Sequence, residues 1–170
     1  MEYRFCPICR NPLISQSQSN GKQNHLVCTV CDFVHYKNPK PCVVAVILRA
    51  GKILLIRRAN NPYKNYWDFP GGFIECDEHP KEALKREIEE ELKIRVKIIR
   101  FLGIYTDSYG PEGDATLNIY YLCKKLKGEI MPQDEIAEAR WFDIDKTPRK
   151  IAFNTNAVID DLKKHGLSFA

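Results

Sequence analysis

The sequence predicts an α/β fold in which a mixed β-sheet is sandwiched by helices and preceded by a small metal-stapled module. Three observations carry this. Two Cys-x-x-Cys pairs, Cys6 with Cys9 and Cys28 with Cys31, stand 18 residues apart near the start of the chain. Apolar runs of strand length cluster at 42–58 and again at 94–144. A segment of helical period at 79–92 divides the two clusters, and another at 154–166 closes the chain.

The cysteine spacing is that of a zinc ribbon. Each Cys-x-x-Cys turn presents two thiolates, so Cys6, Cys9, Cys28 and Cys31 complete a closed tetrahedral four-sulfur site, which makes the zinc structural. The polar residues between them, including a loop at 15–20, cannot hold a core, so metal binding must supply much of the folding free energy. His25 and His35 read as surface or packing residues, and Cys42, Cys76 and Cys123 as buried or semi-buried thiols. Pro39 and Pro41 mark a join, giving a ribbon over 1–38 and a second domain over 39–170.

In that domain, 42–49 and 52–58 read as two strands meeting at an Ala50-Gly51 turn. Residues 60–73 form a turn-rich aromatic loop. In the helix that follows, Pro80 suits the first turn, and Leu84, Ile88 and Leu92 line one face. Strands are expected at 94–107, 116–126 and 138–144, with an exposed loop at 107–115. The last helix has Asn154 or Thr155 as cap and Gly166 as stop.

Composition narrows the function classes. Hydrophobic residues make up 44% of 170, enough for a packed core. The formal charge is +4, with +3 of it in residues 1–40, far from the basic stripe of a dedicated nucleic-acid binder. The first residues lack a secretory apolar core, no run approaches membrane-spanning length, and seven cysteines fit a reducing compartment. The expected location is the cytoplasm.

The helix raises a chemical question, because Glu87, Glu90 and Glu91 crowd one face and repel one another unless a cation sits among them. Mg²⁺ suits such hard oxygen ligands. Gly71 and Gly72 would let backbone approach that metal or a phosphate. From Gly72 the chain follows G-x5-E-x7-R-E-U-x-E-E-x-G-U, where U is a bulky aliphatic. Gly72, Glu78, Arg86, Glu87, Ile88, Glu90, Glu91 and Ile94 match, and Lys93 stands where the pattern has glycine.

That pattern is the Nudix box, and the chain resembles a Nudix hydrolase. The ribbon ahead of the box looks like the NADH pyrophosphatase branch and its ADP-ribose-hydrolysing relatives. The resemblance implies a Nudix-type sheet sandwiched by helices. It also implies Mg²⁺- or Mn²⁺-dependent hydrolysis of a nucleoside diphosphate linked to another moiety. Carried over by position, Glu90 and Glu91 are metal ligands, Glu87 is a further ligand or the water-activating base, and Arg86 orients Glu87. A carbonyl of Gly71 or Gly72 completes the metal shell, and Glu78 supports the loop. A further carboxylate is expected from Glu135, with Glu138 second; Asp107, Glu112 and Asp114 form a rival set.

The NADH pyrophosphatase signature after the box has no counterpart at 100–121, which favours ADP-ribose-like substrates over NAD(H). Tyr66, Trp67, Phe69 and Tyr105, along with Tyr63 and Tyr109, are the candidates to stack on a base. The alternative reading is a nucleotide-sensing regulator of Nudix fold that grips nucleic acid with its ribbon. Its damaged box is not found here, and nucleic acid is not an expected partner. A homodimer is a family-level expectation.

Overall fold

Residues 3–17, 24–110 and 113–165 are described by the structure, a computed structural model, in which the chain forms two units, 1–39 and 40–170. In the first unit, β1 (Leu13–Ser17), β2 (Asn24–Cys28) and β3 (Val34–His35) form an antiparallel sheet in that order. Ser15 to Ser17, expected in a loop, extend β1 because each pairs with a residue of β2; 18–20 lie outside the described residues.

The second unit is built on a seven-stranded mixed sheet. Its path runs β10 (Ile136–Asp143), β5 (Lys52–Arg58), β4 (Lys40–Arg49), β9 (Asp114–Lys127), β8 (Arg95–Tyr109). Among the named strands of the described residues, only the β4–β9 pairing is parallel. Central β4 is buried on both faces from Cys42 to Leu48, which is why it reads as an unbroken apolar run. Its alternate residues feed two cores. Val43, Ala45 and Ile47 pack with Ala83, Leu84, Ile88 and Leu92 of α1 (Pro80–Leu92). Val44, Val46 and Leu48 pack with Val158, Ile159 and Leu162 of α2 (Thr155–His165). Each such fully buried aliphatic side chain contributes about 2 kcal/mol before entropy is counted. These two layers make the sandwich that the sequence predicts.

The 60–73 segment departs from a pure loop. β4 and β5 pair with each other only at Leu48–Ile53 and Arg49–Lys52, then diverge. Their freed backbone groups need partners. Two short strands supply them: β6 (Trp67–Asp68) against β5, and β7 (Gly71–Phe73) against β4. The 107–115 loop is also shorter than expected, since β8 runs to Tyr109 and β9 begins at Asp114.

Helix α1 starts with Pro80 after His79, whose Nδ1 accepts from the Lys81 N–H at 3.2 Å. It ends at Lys93 with φ +57°, the left-handed turn for which the box pattern reserves glycine. Lysine accepts that conformation at a cost of about 1 kcal/mol, so the departure leaves the loop geometry in place. Asn154 stands at the cap position of α2, its backbone carbonyl accepting from the Val158 N–H at 3.2 Å, but the side chains of both expected caps bond elsewhere. Thr155 donates to Asp68 instead, and the Asn154 carboxamide oxygen accepts from Tyr120. Gly166 lies outside the described residues. Cys42 and Cys123 are buried, but Cys76 is exposed, because it lies in the turn ahead of α1 rather than on a core strand. No helix is long and apolar enough to cross a membrane among the described residues.

Candidate active site

The turn between β7 and α1 is fastened by one guanidinium. Arg86 Nε and Nη2 donate to the two oxygens of Glu78 at 2.9 and 2.8 Å, and Nη2 also reaches the Phe73 carbonyl at 3.2 Å. Its Nη1 donates to Glu87 at 2.9 Å and to Glu90 at 3.1 Å. The bidentate pair holds the Glu78 carboxyl below the usual range and raises Arg86. Arg86 thus sets the direction of two carboxylates while tied to a third.

Glu87 lies against Gly72 so closely that a Cβ there would fall inside 3 Å of its carboxyl carbon and both oxygens. A Cβ on Gly71, at φ +152°, would strike the Val43 carbonyl and Val44 Cα at under 3 Å. The two glycines therefore do different work. Gly71 admits the β4–β7 pairing, and Gly72 leaves room for Glu87. The Gly71 N–H also donates to Glu91 Oε2 at 3.0 Å. Glu90 is more exposed, at 59%.

Glu87, Glu90 and Glu91 all face a cleft of about 490 Å³ in the second unit. Glu75, Asp68, Asp134 and Glu135 add to its acidity, and Arg58 is the only Lys or Arg that lines it among the described residues. Burial pushes Glu91 up to about 8 and raises Glu87 as well; neighbouring carboxylates add to both shifts, Glu135 among them for Glu91. Burial likewise carries Asp68 to about 6, against hydrogen bonds from Thr155 Oγ1 at 2.6 Å and the Phe69 N–H at 2.8 Å. Such a concentration of buried carboxyl oxygens is costly without a cation, and an all-oxygen donor set fits Mg²⁺ or Mn²⁺. No three of these carboxylates bring oxygens within 4.8 Å of one another among the described residues, so a cation would have to draw them together.

The opposite wall comes from β9 and the loop before α2. Thr116, Asn118 and Tyr120 point into the cleft at every second position of a buried strand, and the Tyr120 hydroxyl donates to Asn154 at 2.7 Å. At the mouth, Tyr109 and Phe153 stack at 5.8 Å with 13° between ring planes, and Phe73 meets Tyr109 edge-on. Arg58 lies 5.1 Å over the Phe153 ring. Phe153 holds φ +51°, a backbone state that a bulky residue keeps only when its surroundings enforce it.

The sequence candidates fall in different places. Glu87, Glu90, Glu91, Gly71, Gly72, Glu135, Phe69 and Tyr109 line the cleft, and Arg86 sits at its edge through its bonds to Glu87 and Glu90. Trp67 does not line it: its ring is buried in the α2-side core against Phe142. Tyr66 packs on Tyr63, and Tyr105 donates to Asp161 at 2.8 Å; neither lines the cleft. Glu138 is spent on Arg57 and Arg140. Of the rival set, Asp114 pairs with Lys40, Asp107 is off the cleft wall, and Glu112 lies outside the described residues. Sequence reasoning missed Arg58, Asp68, Thr116, Asn118, Tyr120, Phe153 and Asn154. The alternation Thr116, Asn118, Tyr120 on an otherwise apolar strand was the available signal; nothing comparable marks Phe153.

In the first unit, the sulfurs of Cys6, Cys9, Cys28 and Cys31 all lie within 4.8 Å of one another. Cys6 and Cys31 stand 3.5 Å apart, Cys9 and Cys28 3.4 Å. A tetrahedron with zinc–sulfur bonds of about 2.3 Å has edges of roughly 3.8 Å, so the cluster is compatible with zinc. These separations also exclude disulfides.

Comparison with known proteins returns one family. A family model described as the NUDIX domain matches residues 38–162. An ADP-ribose pyrophosphatase of Methanocaldococcus jannaschii is 36% identical over 126 residues, covering 74% of each chain. An NAD-capped RNA hydrolase NudC of Chromobacterium violaceum is 31% identical over 86% of this chain, which spans about half that protein's length, at 52%. A crystal structure of a NUDIX hydrolase from Nitrosomonas europaea superposes with a TM-score of 0.78 at 28% identity, covering 96% of this chain and 94% of that one.

Proposed function

The chain belongs to the Nudix family of hydrolases, and from that premise we propose that it cleaves the diphosphate of ADP-ribose, with NAD(H) the second-ranked substrate. The observation that carries this reading is the convergence of Glu87, Glu90, Glu91 and Glu135 on one cleft whose mouth carries aromatic rings. Glu87, Glu90 and Glu91, with a carbonyl of Gly71 or Gly72, would hold the divalent ion. When bound, Mg²⁺ or Mn²⁺ supplies Lewis acidity, neutralising diphosphate oxygens and making water more acidic.

The protein's own groups do the rest. Glu135, with Glu87 as the alternative, accepts the proton of the attacking water. A new P–O bond forms, the bridging P–O bond breaks, and ADP-ribose leaves as AMP and ribose 5-phosphate. Arg86 keeps Glu87 and Glu90 aimed into the cleft. The Tyr109–Phe153 pair, with Phe69 deeper in the wall, offers apolar surface to a base. A relative that is 36% identical and matched over 74% of each chain bears the name ADP-ribose pyrophosphatase, which supports the ranking.

A hydrolysis screen with Mg²⁺ and Mn²⁺ over ADP-ribose, NADH, NAD⁺, nucleotide sugars and dinucleoside polyphosphates tests the reading. ADP-ribose should give the highest kcat/KM, with AMP and ribose 5-phosphate as products. Turnover of none of them, or of nucleoside triphosphates alone, would overturn it. For the ribbon we expect about one zinc per chain, lost in Cys28→Ser together with the fold of 1–39. Elemental analysis that finds native protein free of zinc would remove that assignment.

A further inference from the structure

One carboxylate of the cleft stands outside the box and has an oxygen to spare. The Asp68 side chain is only 12% exposed. Its Oδ1 is satisfied twice, by Thr155 Oγ1 at 2.6 Å and by the Phe69 N–H at 2.8 Å. Its Oδ2 accepts no hydrogen bond among the described residues. The ion-pair partner of that oxygen, Arg58 Nη1, stands 3.7 Å away, which is too long for a hydrogen bond.

Arg58 is in the same condition. In the β5–β6 ladder Asp68 is paired with Ile56, so Arg58, two residues further along β5, is its diagonal neighbour. Its Nε is taken by the Pro62 carbonyl at 2.8 Å, and its guanidinium carbon lies 5.1 Å over the Phe153 ring. Neither Nη donates a hydrogen bond among the described residues. A carboxylate and a guanidinium this close commonly join by two parallel bonds. Here Pro62 and Phe153 hold the guanidinium back, and each group keeps its bonding capacity. No buried side-chain nitrogen or oxygen lacks a hydrogen-bond partner among the described residues, so Asp68 Oδ2 and the Arg58 Nη atoms meet solvent. Both side chains line the cleft, together with Phe69 and Phe153.

An acceptor and a donor 3.7 Å apart, on a wall with aromatic rings, address two neighbouring atoms on the edge of one planar base. Adenine offers the complement, because its 6-amino group donates and its N7 accepts. Guanine and hypoxanthine carry an oxygen at position 6, which would face the carboxylate acceptor to acceptor. Burial lifts Asp68 to about 6, so at pH 8 its carboxyl is ionised and can only accept. We propose that Asp68 and Arg58 select adenine, with Asp68 Oδ2 accepting from the 6-amino group and an Arg58 Nη donating to N7. The pair thereby rejects 6-oxopurines. The proposal rests on the reading of the cleft as a nucleotide site and adds which base that site takes.

The test is titration calorimetry of the full chain with AMP and with IMP at pH 8 in Mg²⁺, beside kcat/KM for ADP-ribose and its deaminated analogue IDP-ribose. The members of each pair share ribose and phosphate and differ only in the base. Wild type should bind AMP about 50-fold more tightly than IMP, and kcat/KM should follow that ratio. Asp68→Asn keeps an oxygen for Thr155 and the Phe69 N–H but replaces Oδ2 with an amide donor, so the preference should fall below about threefold. Arg58→Met should weaken AMP and IMP alike, by about tenfold, since both carry N7. Equal affinity of wild type for AMP and IMP overturns the proposal, because the shared ribose or phosphate is then what is held. An undiminished preference in folded Asp68→Asn overturns it too. Should that variant fail to fold, wild-type affinity for AMP in Arg58→Met overturns it instead. Preference for AMP without turnover of ADP-ribose would uphold the base reading and sink the hydrolysis proposed above, so the two failures are distinct.

Discussion

Glu91→Gln should fold normally and lose at least a thousandfold in turnover, about 4 kcal/mol of transition-state stabilisation. Its side chain is the most deeply set of the three glutamates crowded on the α1 face, fixed by the Gly71 N–H and lifted to about 8 by burial. A glutamine can still accept that hydrogen bond, so the β7–α1 junction survives. What disappears is a negative oxygen in a cleft built around them. Removing a buried carboxylate flanked by Glu87 and Glu135 also relieves repulsion, so the metal-free variant should melt no lower than wild type at pH 8. Steady-state kinetics with a thermal melt checks both halves. Near-wild-type turnover refutes the ligand assignment, and a lower melt refutes the electrostatic account.

Gly72→Ala should fold and lose about a hundredfold in kcat, whereas Gly71→Ala should fail to accumulate as folded protein. The neighbouring glycines differ in what they face. The added methyl at 71 meets backbone of β4, which cannot retreat without breaking the β4–β7 ladder. The added methyl at 72 meets the end of the Glu87 side chain. That carboxylate can swing, but Arg86 holds it and is itself tied to Glu78 by two bonds, so moving it disturbs the whole acidic turn. Displacing a reacting group by about 1 Å is worth this order of rate. Circular dichroism and kinetics on both variants separate the roles; an active Gly72→Ala would show that Glu87 need not keep its place.

How far these features could be read in advance follows from their range along the chain. The box residues are close in sequence and carry a helical period, so α1, its buried face and its acidic face were all legible. Lys93 was legible as a departure, and its φ of +57° explains why the departure costs little. The strands of β4, β5 and β9 announced themselves by apolar runs. β6 and β7 did not, because two or three residues have no period; they exist only because β4 and β5 part company. The aromatic candidates fared unevenly for the same reason. Phe69 and Trp67 are two apart, look alike in sequence and both pack in the α2-side core, but only Phe69 also lines the cleft. Phe153 and Asn154 reach the cleft from 59 and 60 residues beyond the box, through a packing of α2 that no local pattern encodes.

Binding of Mn²⁺ to the metal-free protein, followed by titration calorimetry or electron paramagnetic resonance, tests the central claim most directly. Wild-type protein should take up the ion, and Glu90→Gln with Glu91→Gln should abolish that uptake while leaving zinc in the ribbon and the melting profile intact. Undiminished Mn²⁺ uptake by the double variant would contradict the account, because the glutamates of α1 would then not be what holds the ion.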